Sequence, residues 1–471
     1  MSDYKLLIGG ELFEGDHVMN VINPATGTAF ASVSRASVAQ ADQAIAAAKS
    51  AAPGWAATSL EDRRKTMLAL ADAIAARADE IARVLTAEQG KPLAEAMGEL
   101  AWTDGYLRHY CTIDLPDRII QDDESAYIAV KHKPLGVVVG IIAWNFPLLV
   151  ACWKIGPALL AGNTIVLKPA PTTPVTALLL GEICKDIFPP GVVNIIADNN
   201  DLGPHLTAHP DVAKVGFTGS TATGKKIMAT GADTLKRVTL ELGGNDPAIV
   251  LEDVDVKQTA QAIFGNAFLN NGQVCLAIKR AYVHTDIYDA MCSELARLAD
   301  AAIVDDGSKQ GTQIGPIQNQ AQYEKIKGFL DTARRDGIII AGGEVMERDG
   351  YFVRPTIVRD VTDGHQIVDE EQFGPILPVI RFDDIEDVIA RANNSETGLG
   401  GSVWSKDIAR ATEIAGRIES GQMWVNQHIA IGPHIPMAGF KGSGIGVEQS
   451  VEGFAEYTQL QVINVARVWQ T

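Results

Sequence analysis

Five short segments carry residue types that can do chemistry. In NNGQVCLAIKR, Cys275 follows a Gly-containing turn, and a cysteine borne on a turn can be exposed and activated as a nucleophile. Cysteine is also among the most buried residue types, so Cys275 taken alone fits a small core residue equally well. In LELGGNDP, Glu241 ends an apolar stretch and precedes two glycines that let a backbone pass close to a ligand. A carboxylate desolvated there has a raised pKa, which suits a general base; a surface glutamate at a strand end is the other reading. In KVGFTGSTATGKK, Gly219 and Ser220 form a tight turn before a helix whose first N–H groups can meet a pyrophosphate, although the spacing is neither GxGxxG nor a Walker loop. AWNFP places Asn145 at the carboxyl end of an apolar strand, where its amide can donate to developing negative charge or simply shape a turn before proline. VLKPAPTTP puts Lys168 at the end of the next strand, within reach of a ribose or free to snorkel to solvent.

The elements that must position these groups read as an α/β fold. Two Ala-rich stretches, roughly 38 to 53 and 61 to 87, repeat apolar residues at helical spacing and are expected to cover a core. From residue 136 apolar strands alternate with helices: GVVVGII, a helix to Ala161, TIVLK, a helix from Pro174 to Ile187, VVNII and AKVGF. That alternation predicts a doubly wound parallel sheet with ligands at the carboxyl ends of its strands. A second α/β pattern runs from about Pro247 to 442, with helices expected over 255–268, 286–303 and 318–336 and a strand near 279–284. The segment 116–134 and the tail after 455 alternate like exposed strands, which need a partner edge and point to pairing between subunits.

Composition narrows the class. A chain of 471 residues exceeds the usual limit of one core. With 46% hydrophobic and 21% charged residues it is an ordinary folded protein rather than a disordered or fibrous one. A net charge of -18 without a basic cluster argues against nucleic acid or an anionic membrane as partner. The five cysteines form no CxxC pair and no zinc-ligand spacing, so no metal is expected, and a reducing cytoplasm fits them. The N-terminus lacks the apolar core of a signal peptide. The apolar span 134–162 is long enough for a membrane, but Pro147, Pro157, Asn145 and Lys154 interrupt it, so strand, turn and buried helix are expected there.

WNFP, KPA, FTGS, LELGGN, GQVC and EEQFGP occur in this order and spacing, and the chain thereby resembles the aldehyde dehydrogenase superfamily from NPATG at 24–28 to GFKGSG at 439–444. The resemblance implies a Rossmann-like cofactor domain (1–115 and 135–242), a second α/β catalytic domain (243–442) and a small β oligomerisation segment (116–134 and 443–471), assembled as a homodimer or homotetramer. By the same resemblance Cys275 is the nucleophile, Glu241 the general base, and Asn145 with the Cys275 N–H the oxyanion hole. Ile142, Trp144, Lys168, Gly219, Ser220, Glu371 and Phe373 contact NAD, with NADP the alternative. Lys154 and Glu448 resemble a pair that relays a proton from the base, or form a structural salt bridge. Phe146, Trp153, Val274, Leu276 and Ile431 would line a substrate tunnel, with Gln427 and His428 placed to meet a hydroxyl.

The implied reaction is NAD(P)-dependent oxidation of an aldehyde to an acid through a thiohemiacetal and a thioester on Cys275. An uncharged aliphatic or aromatic aldehyde is expected, because none of the five tunnel residues is basic; a semialdehyde carrying an anionic or polar group is the alternative. Glu241 argues for hydrolysis of the thioester over transfer to coenzyme A. A cofactor-binding protein without turnover and a redox-free thiol hydrolase are the rival classes, and the chain keeps both nucleophile and base. One departure stands out: where many NAD-specific relatives continue KPA with a glutamate, this chain has Pro171.

Overall fold

The computed structural model describes residues 3–468. Two sheets dominate it. The first has eight strands, and its parallel centre runs in the spatial order Val193–Ile195, Thr164–Lys168, Val137–Ile141, Val212–Thr218, Arg237–Glu241. The chain enters at Val137–Ile141, winds outward through two strands on one side, then returns to wind outward on the other. The reversal opens a crevice at the carboxyl ends of Val137–Ile141 and Val212–Thr218, the position where open α/β sheets take their ligands. All the strands expected from the apolar alternation are present.

The second sheet has seven strands, six of them parallel: Thr356–Val361, Ile376–Phe382, Ile278–His284, Asp246–Val250, Gly400–Trp404 and Gln422–Val425. Successive side chains of a strand point to opposite faces. Ala248 and Val250 therefore join one apolar cluster while Ile249 joins the cluster on the other face. With both faces covered, each buried Val or Ile contributes roughly 1.5–3 kcal/mol, which explains why these strands read as continuous apolar runs.

Helices Val256–Phe268, Tyr288–Ala301 and Gln320–Asp336 lie where expected. The stretch 61–87 does not form one helix: Leu60–Ala76 and Ala78–Gln89 meet at Arg77, whose φ of -109° and ψ of 20° break the helix. Apolar spacing continues across the break and hides it. Helix Leu93–Tyr110, which carries Trp102 and is the helix expected near that residue, packs against the buried helix Pro147–Leu160. Glu99 on the former accepts the Leu148 and Leu149 N–H groups at 3.0 and 3.1 Å, satisfying donors that the start of a helix leaves free. Among the described residues no helix is long and apolar enough to cross a membrane.

The alternating segments meet within the chain. Arg118–Asp122 and Ala126–Pro134 form a hairpin, and Thr458–Ala466 pairs along the whole of the second strand. The inner edge of the tail strand is thus supplied by its own subunit, while its outer edge and that of Arg118–Asp122 meet no further strand among the described residues. Gly444–Ile445 lies elsewhere, pairing antiparallel with Leu240 and Glu241 on the first sheet. Residues 469–471 of the tail lie outside the described residues.

Candidate active site

Glu241 is the last residue of its strand and sits opposite Thr218, the last residue of the neighbouring one. It is 2% exposed, and neither carboxylate oxygen meets a hydrogen-bond partner among the described residues. Burial, reinforced by Glu448, holds its pKa well above the usual carboxylate range. A sealed, unbonded carboxylate is costly for a structure to keep, so a purely structural role explains Glu241 poorly.

Gly243 and Gly244 carry the chain from Glu241 to the second sheet. A Cβ on Gly243 would collide with the Glu371 carboxylate, and one on Gly244 would lie 2.8 Å from the Cys275 carbonyl oxygen. The glycines therefore make room for the nucleophile loop and for Glu371.

That loop is held under strain. Asn270, Asn271 and Gly272 are consecutive residues with φ of 49°, 57° and 72°. A left-handed non-glycine residue costs roughly 1–2 kcal/mol, and specific bonds oppose that cost: Asn271 Nδ2 donates to Gly315 O at 2.9 Å, the Asn270 N–H to Glu95 at 3.0 Å, and Asn270 Nδ2 to the Asn145 carbonyl at 2.9 Å. Lys91 also donates to that carbonyl at 2.9 Å and pairs with Glu99 at 2.6 Å, with both side chains fully buried. Asn145 Nδ2 gives one proton to Gln273 O at 3.0 Å; an amide nitrogen has two.

Cys275 is half-buried, whereas Cys111, Cys152, Cys184 and Cys292 are buried. Desolvation pushes its thiol up to about 12, and Lys279 opposes the shift while Glu241, Glu371 and Asp246 add to it. Lys279, four residues on in the same motif, carries no sign of a role in the sequence alone. Its ammonium takes the Val274 and Cys275 carbonyls at 2.8 and 2.7 Å and pairs with Glu371 at 3.2 Å. Glu371 also accepts the Gly244 N–H at 3.2 Å. One buried lysine thus ties EEQFGP to the nucleophile loop.

The expected cofactor residues gather along the crevice. The Ile142 N–H bonds to Lys168 O at 3.1 Å. Trp144 meets Phe373 edge-on with ring centroids 5.2 Å apart. The Gly219 N–H bonds to Glu241 O at 3.0 Å, and Ser220 caps helix Thr221–Ala232. Thr218 Oγ1, buried beside this turn, lacks a partner among the described residues. The start of helix Thr221–Ala232, the orphaned Thr218 hydroxyl and Lys168 at its strand end fit a dinucleotide.

Lys154 and Glu448 are in direct contact and fully buried, and Glu448 raises the Glu241 pKa while Lys154 lowers it. The tunnel residues divide. A cavity of ≈ 170 Å³ is lined by Ala101, Trp102, Gly105, Tyr106, Ile429, Ile431, Gly432 and Pro433. Of the five expected residues only Ile431 lines it. Phe146 and Trp153 stand behind its wall, paired with Trp102 at 6.2 Å and Tyr106 at 5.5 Å. Val274 and Leu276, 5% and 2% exposed, pack into the core. His428 is buried, held by Ser402 Oγ at 3.0 Å and Leu276 O at 2.8 Å, and burial pushes it down to about 3. It braces the nucleophile loop rather than facing a substrate hydroxyl.

Residues 13–463 match the model of the aldehyde dehydrogenase family. The chain belongs to that family. It is 39% identical over 471 residues to a betaine aldehyde dehydrogenase from Rhizobium etli, covering 97% of this chain and 96% of that protein. It is 38% identical over 483 residues to a phenylacetaldehyde dehydrogenase from Pseudomonas fluorescens, covering 98% and 96%. An NAD+ complex of aldehyde dehydrogenase from Bacillus cereus superposes with a TM-score of 0.96 at 36% identity, over 98% of this chain and 96% of that one. This aldehyde dehydrogenase is accordingly an α/β oxidoreductase acting on aldehydes.

Proposed function

We propose that the enzyme oxidises an uncharged aliphatic or aromatic aldehyde to its acid by covalent catalysis at Cys275, with NAD bound in the crevice. The observation that carries this reading is the buried Glu241 carboxyl, unbonded among the described residues, at the end of a strand that Gly243 and Gly244 join to the Cys275 loop. Cys275 Sγ, its proton given up to solvent, attacks the aldehyde carbon as the thiolate. The alkoxide oxygen accepts from the free Asn145 Nδ2 proton and the Cys275 backbone N–H; one such donor contributes about 2.7–4 kcal/mol of barrier lowering. A bound nicotinamide supplies the acceptor for the hydride that converts the thiohemiacetal to a thioester. Glu241 then takes a proton from water, the resulting hydroxide attacks the thioester carbonyl, and the thiolate leaves as the acid is released. The buried Lys154–Glu448 pair, whose charges act on Glu241, is the onward path for that proton.

Lys168, Gly219 and Ser220 would hold the adenosine and pyrophosphate, and Glu371 and Phe373 the nicotinamide ribose. Segments 1–115 and 135–242 serve as the cofactor unit, 243–442 as the catalytic unit. Exposed Leu460, Val462, Ile119 and Ile120 on the small sheet suit a homodimer or homotetramer. A cytoplasmic location fits the reduced cysteines.

No residue lining the cavity is basic, and Lys91, the nearest lysine to Phe146 at 3.8 Å from the ring, is neutralised by Glu99. A carboxylate on the substrate would lack a partner there, at a cost of several kcal/mol. NADH formation at 340 nm over hexanal, benzaldehyde and succinic semialdehyde tests this: kcat/KM should favour an uncharged aldehyde by at least about tenfold. Should the semialdehyde be best, the alternative of an anionic or polar substrate holds instead.

A further inference from the structure

Lys168 and Asp198 close neighbouring parallel strands at one end of the crevice. Lys168 ends Thr164–Lys168, and Asp198 lies three residues beyond Val193–Ile195. The Lys168 ammonium sits 2.6 Å from Asp198 Oδ1 and 3.3 Å from Pro169 O, which occupies two of its three N–H donors. Asp198 Oδ2 accepts the Leu202 N–H at 2.9 Å. The two side chains are 4% and 0% exposed. The surrounding charges are matched as well: Asp201, on the same loop as Asp198, pairs with Arg35 at 2.5 Å. Pro171 adds neither charge nor donor.

We propose that Asp198 sets the cofactor choice, making the adenosine end of the site selective for NAD over NADP by cancelling the charge of Lys168. The inference rests on the cofactor reading above and goes past it, because Asp198 comes from a strand no motif marks. A ribose hydroxyl is neutral and needs only the remaining Lys168 proton. A phosphate monoester carries about −1.5 to −2 charges at neutral pH and needs a net cation. Here the attraction of the ammonium is opposed by a carboxylate in contact with it, and burial leaves little solvent to screen that opposition. Asp198 thus acts through Lys168, as a positioning and neutralising residue. It performs from the next strand over the repulsion that a glutamate at the Pro171 position would perform.

Calorimetric Kd values for NAD and NADP on the purified chain test the idea without relying on turnover. The wild type should bind NAD at least about tenfold more tightly than NADP. Asp198→Asn and Asp198→Ser each uncover one positive charge beside the phosphate, worth about tenfold at partly solvated distances. In both, the ratio of the NADP to the NAD Kd should fall at least about tenfold, and the gain should fade with added salt. Adding Lys168→Met to Asp198→Asn should erase the gain, which a general loosening of the loop would not do. Equal wild-type affinities, or folded variants with an unchanged ratio, overturn the proposal. If both variants misfold, the wild-type ratio decides alone. A wild type that binds neither dinucleotide refutes the cofactor reading itself, a distinct result.

Discussion

Glu241→Gln separates the two halves of the reaction. The side chain is 2% exposed and its oxygens make no hydrogen bond among the described residues, so the exchange breaks none of the described bonds and nearly preserves volume. An amide buried without partners costs about 1–3 kcal/mol, but the wild-type carboxyl bears a comparable cost, and the melting temperature should move little. What disappears, on the proposed mechanism, is a base. Positioned proton transfer contributes roughly 10²–10⁴-fold, and deacylation, which needs water deprotonated, should slow by that factor. Attack by Cys275 can still draw on solvent hydroxide, so rapid mixing should show an NADH burst near one equivalent per site and then a slow steady state. The pH profile supplies a second readout. A base acts when deprotonated, so the wild-type steady-state rate should rise with pH through the Glu241 pKa, which burial places above the ordinary glutamate value of about 4.3. The variant should lose that rise. A burst and steady state that fall in equal proportion would refute the assignment of Glu241 to the hydrolytic step.

Cys275→Ala should reduce dehydrogenase activity by more than a thousandfold, on the order expected when a nucleophile has no substitute, while NAD binding measured by calorimetry persists; Cys292→Ser, in the apolar cluster of helix Tyr288–Ala301, should lower only the melting temperature. Lys154→Met strands Glu448 in a fully buried position, and chemical denaturation should register a loss of about 3–5 kcal/mol; a loss under 1 kcal/mol would show that solvent reaches the pair. Pro171→Glu adds a second carboxylate near Lys168 and should raise the NAD/NADP ratio of kcat/KM further; an unchanged ratio would place residue 171 away from the ribose.

The parallel strands and the residues at their carboxyl ends were legible in the sequence because each strand is an unbroken apolar run, buried on both faces and bounded by turn chemistry. Val137–Ile141 and Thr164–Lys168 deliver Asn145 and Lys168 to the crevice by local sequence alone. Cys275 and Glu241 stood out as candidates for another reason, their place near glycines that let a backbone approach a ligand. Their supports did not. Lys91 and Asn270 converge on the Asn145 carbonyl from two places in the chain, with Glu99 pairing Lys91, Lys279 ties the Cys275 loop to Glu371, and Asp198 reaches Lys168 from beyond another strand. Each sits in a stretch whose composition is unremarkable, and each acquires its role only when packing excludes water and forces a buried charge to find a partner. The same limit applied to the covering elements. Helical periodicity ran through Arg77 without marking the break, and alternation pointed to strands in 116–134 and in the tail after 455 but could not show that they pair with each other. Periodicity reports which face a residue presents; only the folded chain decides what that face meets.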